Sequence, residues 1–288
     1  MKYRFIKDHQ HLFPVEKMCL ALKVSRGGFY GWLHRPLSNR AKENMILLKK
    51  IQKIHTDSKQ RYGSPRITDE LHDAGYKVSQ PRVARLMKQA GIRSTAKRKF
   101  KVTTDSNHNY PVSPNLLRRD FATDAPEKVW VSDITYIPTD EGWLYLTVVI
   151  DLYNRMVTGW SMSKGMNASE TTEAALLHAC DRFNPPAGLI FHSDRGIQYA
   201  CNNFKEQLKK HHMIQSMSAK GDCWDNAVAE SFFSTLKKEL IHRNNYKTKW
   251  AARQSIFEYI EIFYNRQRKH SYLGYKSPVQ FTELEMAA

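Results

Sequence analysis

The sequence predicts an α/β protein: a mixed β-sheet with flanking helices, preceded by all-α helix-turn-helix modules. Three observations predict it. Apolar residues recur at helical spacing through roughly the first third of the chain, and runs of β-branched and aromatic residues begin near residue 128. From there, strand-like and helix-like segments alternate, the pattern of a sheet with helices packed on it. Charge is also divided unevenly: residues 1–100 hold 23 Lys and Arg against 7 Asp and Glu, whereas residues 101–288 hold 22 against 21.

The segment VEKMCLALKVSRGGFYGWLH, residues 15–34, reads as a helix, a turn at Lys23-Val24, and a second helix with Ser25 as its N-cap. From Asn44 to His55, Leu47, Ile51 and Ile54 form the apolar stripe of an amphipathic helix. A second helix-turn-helix follows. Its first helix runs from about Pro65 to Ala74 and ends at Gly75, which tolerates the left-handed conformation. Ser79 caps the next helix, and Pro81 fits in the first turn, where N–H groups lack partners in any case. On this helix Val83, Leu86 and Met87 face a core, while Arg82, Arg85 and Lys88 share the opposite side and are candidates for entering a groove. Residues 94–124 lose periodicity, carry the basic run Lys97, Arg98 and Lys99, and read as a linker.

Beyond the linker, KVWVSDITYI (128–137) is nearly all apolar or β-branched, as in a strand buried on both faces. Trp143 to Leu152 and Arg155 to Met162 form two more strands, joined at Tyr153-Asn154 as a hairpin. A helix from Thr171 to Arg182 is broken by Pro185-Pro186, and Gly188 to His192 is a short strand followed by a helix. Another helix spans Asn226 to Leu240.

Bulk properties exclude several classes. An apolar fraction of 41% is ordinary for a folded chain, and no apolar run approaches the roughly 20 residues that span a bilayer. MKYRFIKDHQ has no apolar core of a signal peptide, so a soluble, cytoplasmic protein without a membrane partner is expected. Four cysteines lie far apart with no CxxC pair, which predicts free thiols and no structural zinc. The basic first third is the footprint of a nucleic-acid binder, because each cation that neutralises a phosphate releases a condensed counterion. An anionic membrane would attract the same charge, but these cations do not lie along one amphipathic helix.

Three carboxylates stand out. Asp133 sits in the middle of VWVSDITYI, where an isolated charge would cost several kcal/mol unless neutralised, paired or metal-bound. Asp194 ends the strand IFHSD, and strand ends are where such sheets hold ligands. Glu230 lies within a helix that Asp225 can cap, and Lys237 follows on nearly the same face, because seven residues are almost two turns. Two strands and a helix delivering three carboxylates suit a pair of hard divalent cations, which use oxygen ligands and leave positions for water and phosphate. Each has a simpler alternative: a salt bridge for Asp133, a turn before Gly196 for Asp194, an exposed helix position beside Lys237 for Glu230. Asp151 ends a strand as well, but an Asx turn before Tyr153-Asn154 accounts for it. Asp222 and Asp225 read as turn and cap.

The segments WVSDITYI, GWLYLTVVIDLYNRMVTGWSM, HSDRGIQY, SMSAKGDCWDNAVAESFFSTLKKE and YNRQRKHSYLGYKSP resemble, in this order, the catalytic core of insertion-sequence-three family transposases, bacterial relatives of retroviral integrases. Asp194 and Glu230 are separated by 35 residues, the spacing of that family's acidic triad, and Lys237 matches its basic residue seven positions beyond the glutamate. The resemblance implies a ribonuclease-H-like fold, Mg²⁺ or Mn²⁺ as cofactor with two ions held by Asp133, Asp194 and Glu230, and Lys237 against DNA. It implies a DDE transposase that cleaves element ends and joins the freed 3′-OH to target DNA, without ATP, and no GxxxxGK[ST] loop is present. Its implied partners are the terminal inverted repeats, target DNA, further copies of the chain, and an upstream-frame product. This chain has no sustained heptads, so whether it acts alone or as a fusion stays open. The expected division is a helix-turn-helix over 1–40, a second helical DNA-binding domain over 41–95, a basic linker over 96–124, an integrase catalytic core over 125–245 and a helical tail over 246–288. A hydrolytic nuclease with the same site, or a non-catalytic DNA-binding regulator, remains the alternative.

Overall fold

The computed structural model describes residues 1–94, 111–219 and 223–287. The chain forms two compact units, Met1–Arg93 and Ser94–Ala288.

The first unit is helical. Helices α1 (Lys2–His9), α2 (Val15–Ala21) and α3 (Arg26–Leu33) close on a small core of Ile6, Met18, Cys19 and Phe29. Lys23 takes the positive φ of 52° that turns α2 into α3, and the Ser25 hydroxyl accepts from the Gly28 N–H, as its N-cap position predicts. The long α4 (Asn39–Asp57) starts five residues earlier than its apolar stripe suggests, because Ser38 caps it. With α5 (Ser64–Asp73) and α6 (Gln80–Gln89) it buries Leu47, Ile51, Ile67, Leu71, Val83, Leu86 and Met87. Gly75 adopts a φ of +83° just past α5, where a side chain would be strained.

The second unit is built on five strands: β1 (Val129–Thr139), β2 (Gly142–Asp151), β3 (Val157–Ser163), β4 (Ile190–Ser193) and β5 (Ile214–Met217), in the order β3-β2-β1-β4-β5. The first three pair antiparallel, and β4 and β5 add on in parallel. This is the ribonuclease-H-like sheet that the resemblance implies. The β2–β3 connection is the expected turn, with Asp151 Oδ1 accepting from the Tyr153 N–H at 2.8 Å. Side chains of β1 alternate. Trp130 and Ile134 pack into a core with α7 (Ala174–Phe183), α8 (Ile197–Ala200) and α9 (Asn202–Lys210). Gly159 in β3 is required there, since a Cβ would stand 2.4 Å from the Ala175 carbonyl and 2.6 Å from the Ala179 methyl of α7.

α10 (Ala227–Glu239) also packs on β1. α11 (Lys249–Phe257) continues as a wide π-helical stretch, Glu258–Tyr264, whose Tyr264 meets Phe232 of α10 edge-on at 4.8 Å. The two are locked by a buried ion pair. Arg268 donates to Glu239 through Nε and Nη2 at 2.9 and 2.8 Å, and the Tyr259 hydroxyl donates to the same carboxylate at 2.9 Å. A final helix, α12 (Pro278–Met286), starts from a capping box of Ser277 and Gln280.

Two features differ from the sequence expectation. β5 is a fifth strand in a stretch, IQSM, too short and polar to show a strand period. The expected linker over 96–124 is only partly tested, because 95–110 lie outside the described residues. From residue 111 on it is docked. Ser113 donates to Gln215, the Leu116 N–H donates to Ser216, and the Pro114 carbonyl accepts from Met217. This strap lies along β5, the edge strand, and its Pro114 carbonyl takes up the Met217 N–H there.

Replacing Glu239 by Ala strands a buried guanidinium, a change that costs about 3–5 kcal/mol. The expected outcome in a thermal melt of the full chain is a midpoint lowered by roughly 10 °C, and an unchanged midpoint refutes the assigned role.

Candidate active site

The site follows from where the parallel pairing stops. β1 and β4 run side by side from Val129↔Ile190 to Ser132↔Ser193, and each chain's next residue is an aspartate, Asp133 and Asp194. Asp133 continues in β1, opposite Val148 of β2. Asp194 enters a turn in which its Oδ1 accepts from the Gly196 N–H at 2.9 Å. Glu230 lies in the first turn of α10, half-buried, with Lys237 two turns further on.

Electrostatics ties these groups together. The Asp133 carboxyl is held well above its ordinary pKa, first by burial, then by the neighbouring charge of Asp194 and further by Glu230. The Ile134 N–H, donating to Asp133 Oδ1 at 2.8 Å, and Lys237 work against that rise without cancelling it. Glu230 is raised too, by burial and then by Asp194. Lys237 is lowered by burial, opposed by Tyr136 and Asp133. The three acids thus bear on one another electrostatically, and among the described residues Lys237 opposes the rise at Asp133. Among the described residues no three acidic, imidazole or thiol side chains form a ready-made metal cage. The donor set nevertheless fits hard divalent cations, being all oxygen and acidic.

Sequence reasoning missed the residues that hold this arrangement. Asn226, just before α10, donates through Nδ2 to the Ser132 carbonyl at 3.0 Å, joining the start of the Glu230 helix to the Asp133 strand. Tyr199 is fully buried behind the acids, its hydroxyl 2.8 Å from Ser132 Oγ, and burial together with Asp133 and Asp194 raises its pKa, so it stays protonated. His192 lies between the hydroxyls of Ser216 and Ser218 at 2.8 and 3.3 Å, and burial pushes its pKa down to about 4. It is a neutral structural histidine. No spacing rule separates these from ordinary core polar residues.

Asp225 is not the helix cap that its position suggests. α10 begins after Asn226, and the buried Asp225 carboxylate instead accepts from the Ala219 N–H and Asn115 Nδ2, both at 2.8 Å, and from Arg119 Nε at 3.2 Å. It clamps the strap to the loop leading into α10. Asp151 is the Asx turn expected, its Oδ2 also accepting from the Glu127 N–H at 2.7 Å and from Trp130 Nε1 at 3.2 Å.

The basic candidates divide. On α6, Arg85 and Lys88 are exposed, but Arg82 turns toward α4, donating to Asn44 at 2.9 Å and pairing with Glu43 at 2.9 Å. It does not share the open side with the other two. Lys97, Arg98 and Lys99 lie outside the described residues.

A five-stranded sheet with acids gathered where β1 leaves β4, joined to a helix-turn-helix unit, defines a protein of the integrase-core class. Integrase core domain models match residues 123–223 and 230–286, and an HTH-like domain model matches 42–100. Transposase InsF for insertion sequence IS3A of Escherichia coli (strain K12) is 45% identical over 289 residues, the full length of both chains. An IS600 insertion-element protein of 31 kDa from Shigella sonnei is 44% identical over 92% of this chain and 97% of its own. Among solved structures, the HTLV-2 integrase catalytic core domain in complex with magnesium matches with a TM-score of 0.41 at 21% identity, over 54% of this chain and 96% of that one. The chain belongs to the IS3 family of insertion-sequence transposases.

Losing the Asp225 clamp should loosen the strap. Asp225→Ala removes charged hydrogen bonds that contribute about 1.5–3 kcal/mol each, so limited trypsin cleavage after Arg118 and Arg119 is expected to accelerate roughly tenfold or more. Equal cleavage rates in the variant and the parent chain would contradict the clamp.

Proposed function

We propose that the chain catalyses metal-dependent cleavage and strand transfer at insertion-sequence ends, with Asp133, Asp194 and Glu230 as the catalytic carboxylates. The observation that carries this reading is the β1–β4 register, which sets Asp133 and Asp194 side by side just past the last paired residues, while the charge of Asp194 raises both Asp133 and Glu230 of α10. Two Mg²⁺ or Mn²⁺ ions held there would activate an attacking oxygen and stabilise the leaving oxygen of an in-line phosphodiester displacement. Asp133 is held by the sheet and Asp194 by its turn with Gly196. Glu230 completes the set from α10, whose start Asn226 anchors to β1. Lys237 supplies positive charge beside them for a DNA phosphate. The nucleophile is water in the cleavage step and the freed 3′-OH in the joining step, so no covalent protein intermediate is needed.

The same reading gives DNA binding outside the core to the helical modules over 1–40 and 41–95. Arg85 and Lys88 are exposed on α6 as groove contacts, with Arg82 contributing only if released from Glu43, and Lys97, Arg98 and Lys99 track the backbone. Terminal repeats and target DNA are the substrates. Family membership supports action in the bacterial cytoplasm as a homo-oligomer on DNA, alone or joined to an upstream-frame product.

Asp194→Asn is expected to abolish Mg²⁺-dependent nicking and joining of a pre-cleaved terminus while leaving DNA affinity within about twofold, since counterion release by the basic modules supplies most of it. Joined products separate a transposase from a nuclease, and full activity of Asp194→Asn refutes the catalytic assignment. Protons compete with the metal for the raised carboxyls of Asp133 and Glu230. Mn²⁺ affinity measured by calorimetry should therefore rise with pH from the ordinary carboxylate range upward, with proton release on binding. An affinity flat across that range argues against these ligands.

A further inference from the structure

β1 outruns β4. Its pairing with β4 ends at Ser132, while its pairing with β2 continues to Thr139, so the stretch just beyond Asp133 has β2 on one side and no β4 partner on the other. On this stretch Tyr136 meets Trp143 of β2 edge-on, with centroids 4.9 Å apart and planes at 80°. Tyr136 stands opposite Tyr145 and Trp143 opposite Pro138, so both rings rise from one face of the sheet. Trp143 is 50% exposed although it lies within β2, a central strand of the sheet. Lys237 also meets Tyr136, its Nζ 5.5 Å from the ring centroid, and its charge acts on Asp133. Lys237 is thus shared between the Tyr136 ring and Asp133.

Neither Trp143 nor Tyr136 contributes to the acid cluster, and burial does not explain the exposed indole. Exposed aromatic faces beside a cation are the elements with which proteins hold single-stranded nucleic acid, the rings stacking on bases and the cation meeting the backbone. Tyr136 packs against the indole in a T-shaped contact, and half of the Trp143 surface stays exposed. We propose that Trp143, braced by Tyr136, is a stacking platform for an unpaired nucleobase a few nucleotides from the phosphodiester held at the acidic site. The inference rests on the proposed function, and adds that the strand end is held unstacked from its complement. Stacking does not depend on base identity, so the platform positions the DNA without reading its sequence.

The full chain, with Ca²⁺ in place of Mg²⁺, is titrated onto a duplex carrying a short single-stranded tail with 2-aminopurine at each tail position in turn. Stacking on Trp143 is expected to quench one or two positions. Trp143→Ala should abolish that quenching and weaken tail-dependent binding about fivefold to 150-fold, the range for losing one base–aromatic stack, and Trp143→Phe should restore most of both. Unchanged quenching in Trp143→Ala overturns the platform, whatever the catalytic result. In a second measurement that needs no variant, 5-iodouracil in the tail is photocrosslinked to the unaltered chain. Crosslinks to the peptide containing Trp143 support the assignment, and crosslinks confined to Met1–Arg93 overturn it. Nicking by Asp194→Asn reads the catalytic proposal separately, so the two failures are distinguishable.

Discussion

The parallel pairing of β1 with β4 is the constraint on which the rest of the site depends. Because Ser132 is matched to Ser193, the two following aspartates are brought side by side by backbone hydrogen bonds, not by any attraction of their own. Their carboxylates repel each other, and burial makes the repulsion worse. The sheet has to overcome that opposition, and it does so with apolar packing: Trp130 and Ile134 of β1 and Phe191 of β4 lie against α7, α8 and α9. A one-residue slip of β4 would flip alternate side chains across the sheet and separate the acids. The hydrophobic pattern that fixes register thereby also fixes the chemistry.

The second support comes from the opposite direction. Glu230 arrives on a helix whose position is set at its start by Asn226 bonding to β1 and at its end by Glu239 bonding to Arg268 and Tyr259. The helix is thus held at both ends by polar bonds and along its length by Phe232, Phe233 and Leu236. The arrangement resists the rotation that would swing the glutamate away from the two strands.

Much of this was legible in the chain. The apolar run around Asp133 and the strand before Asp194 are long or pure enough to announce themselves, and a carboxylate in the first is conspicuous because burial would penalise it. The cap at Ser25, the turn at Gly75 and the Asx turn at Asp151 follow from local chemistry, which acts within a few residues. What was hidden depends on distant partners. β5 becomes a strand only because β4 lies beside it. Asp225 looks like a cap until Asn115 and Arg119, more than a hundred residues earlier, bond to it. Arg82 looks free on a helical wheel, and only the packing of α4 supplies Asn44 and Glu43. Asn226 and Tyr199 sit in ordinary surroundings, and only the three-dimensional neighbourhood of the acids gives them a role.

The strap on β5 has a consequence for how the molecule comes into being. Ser113 and Gln215 lie 102 positions apart, so during synthesis the cover leaves the ribosome well before the edge that it covers. Parallel strands assemble slowly because distant segments must meet first, and a bare edge in that interval invites pairing with another chain. Here the shielding segment precedes β5 in the chain, so that edge of the sheet has its occupant on hand from the moment it forms.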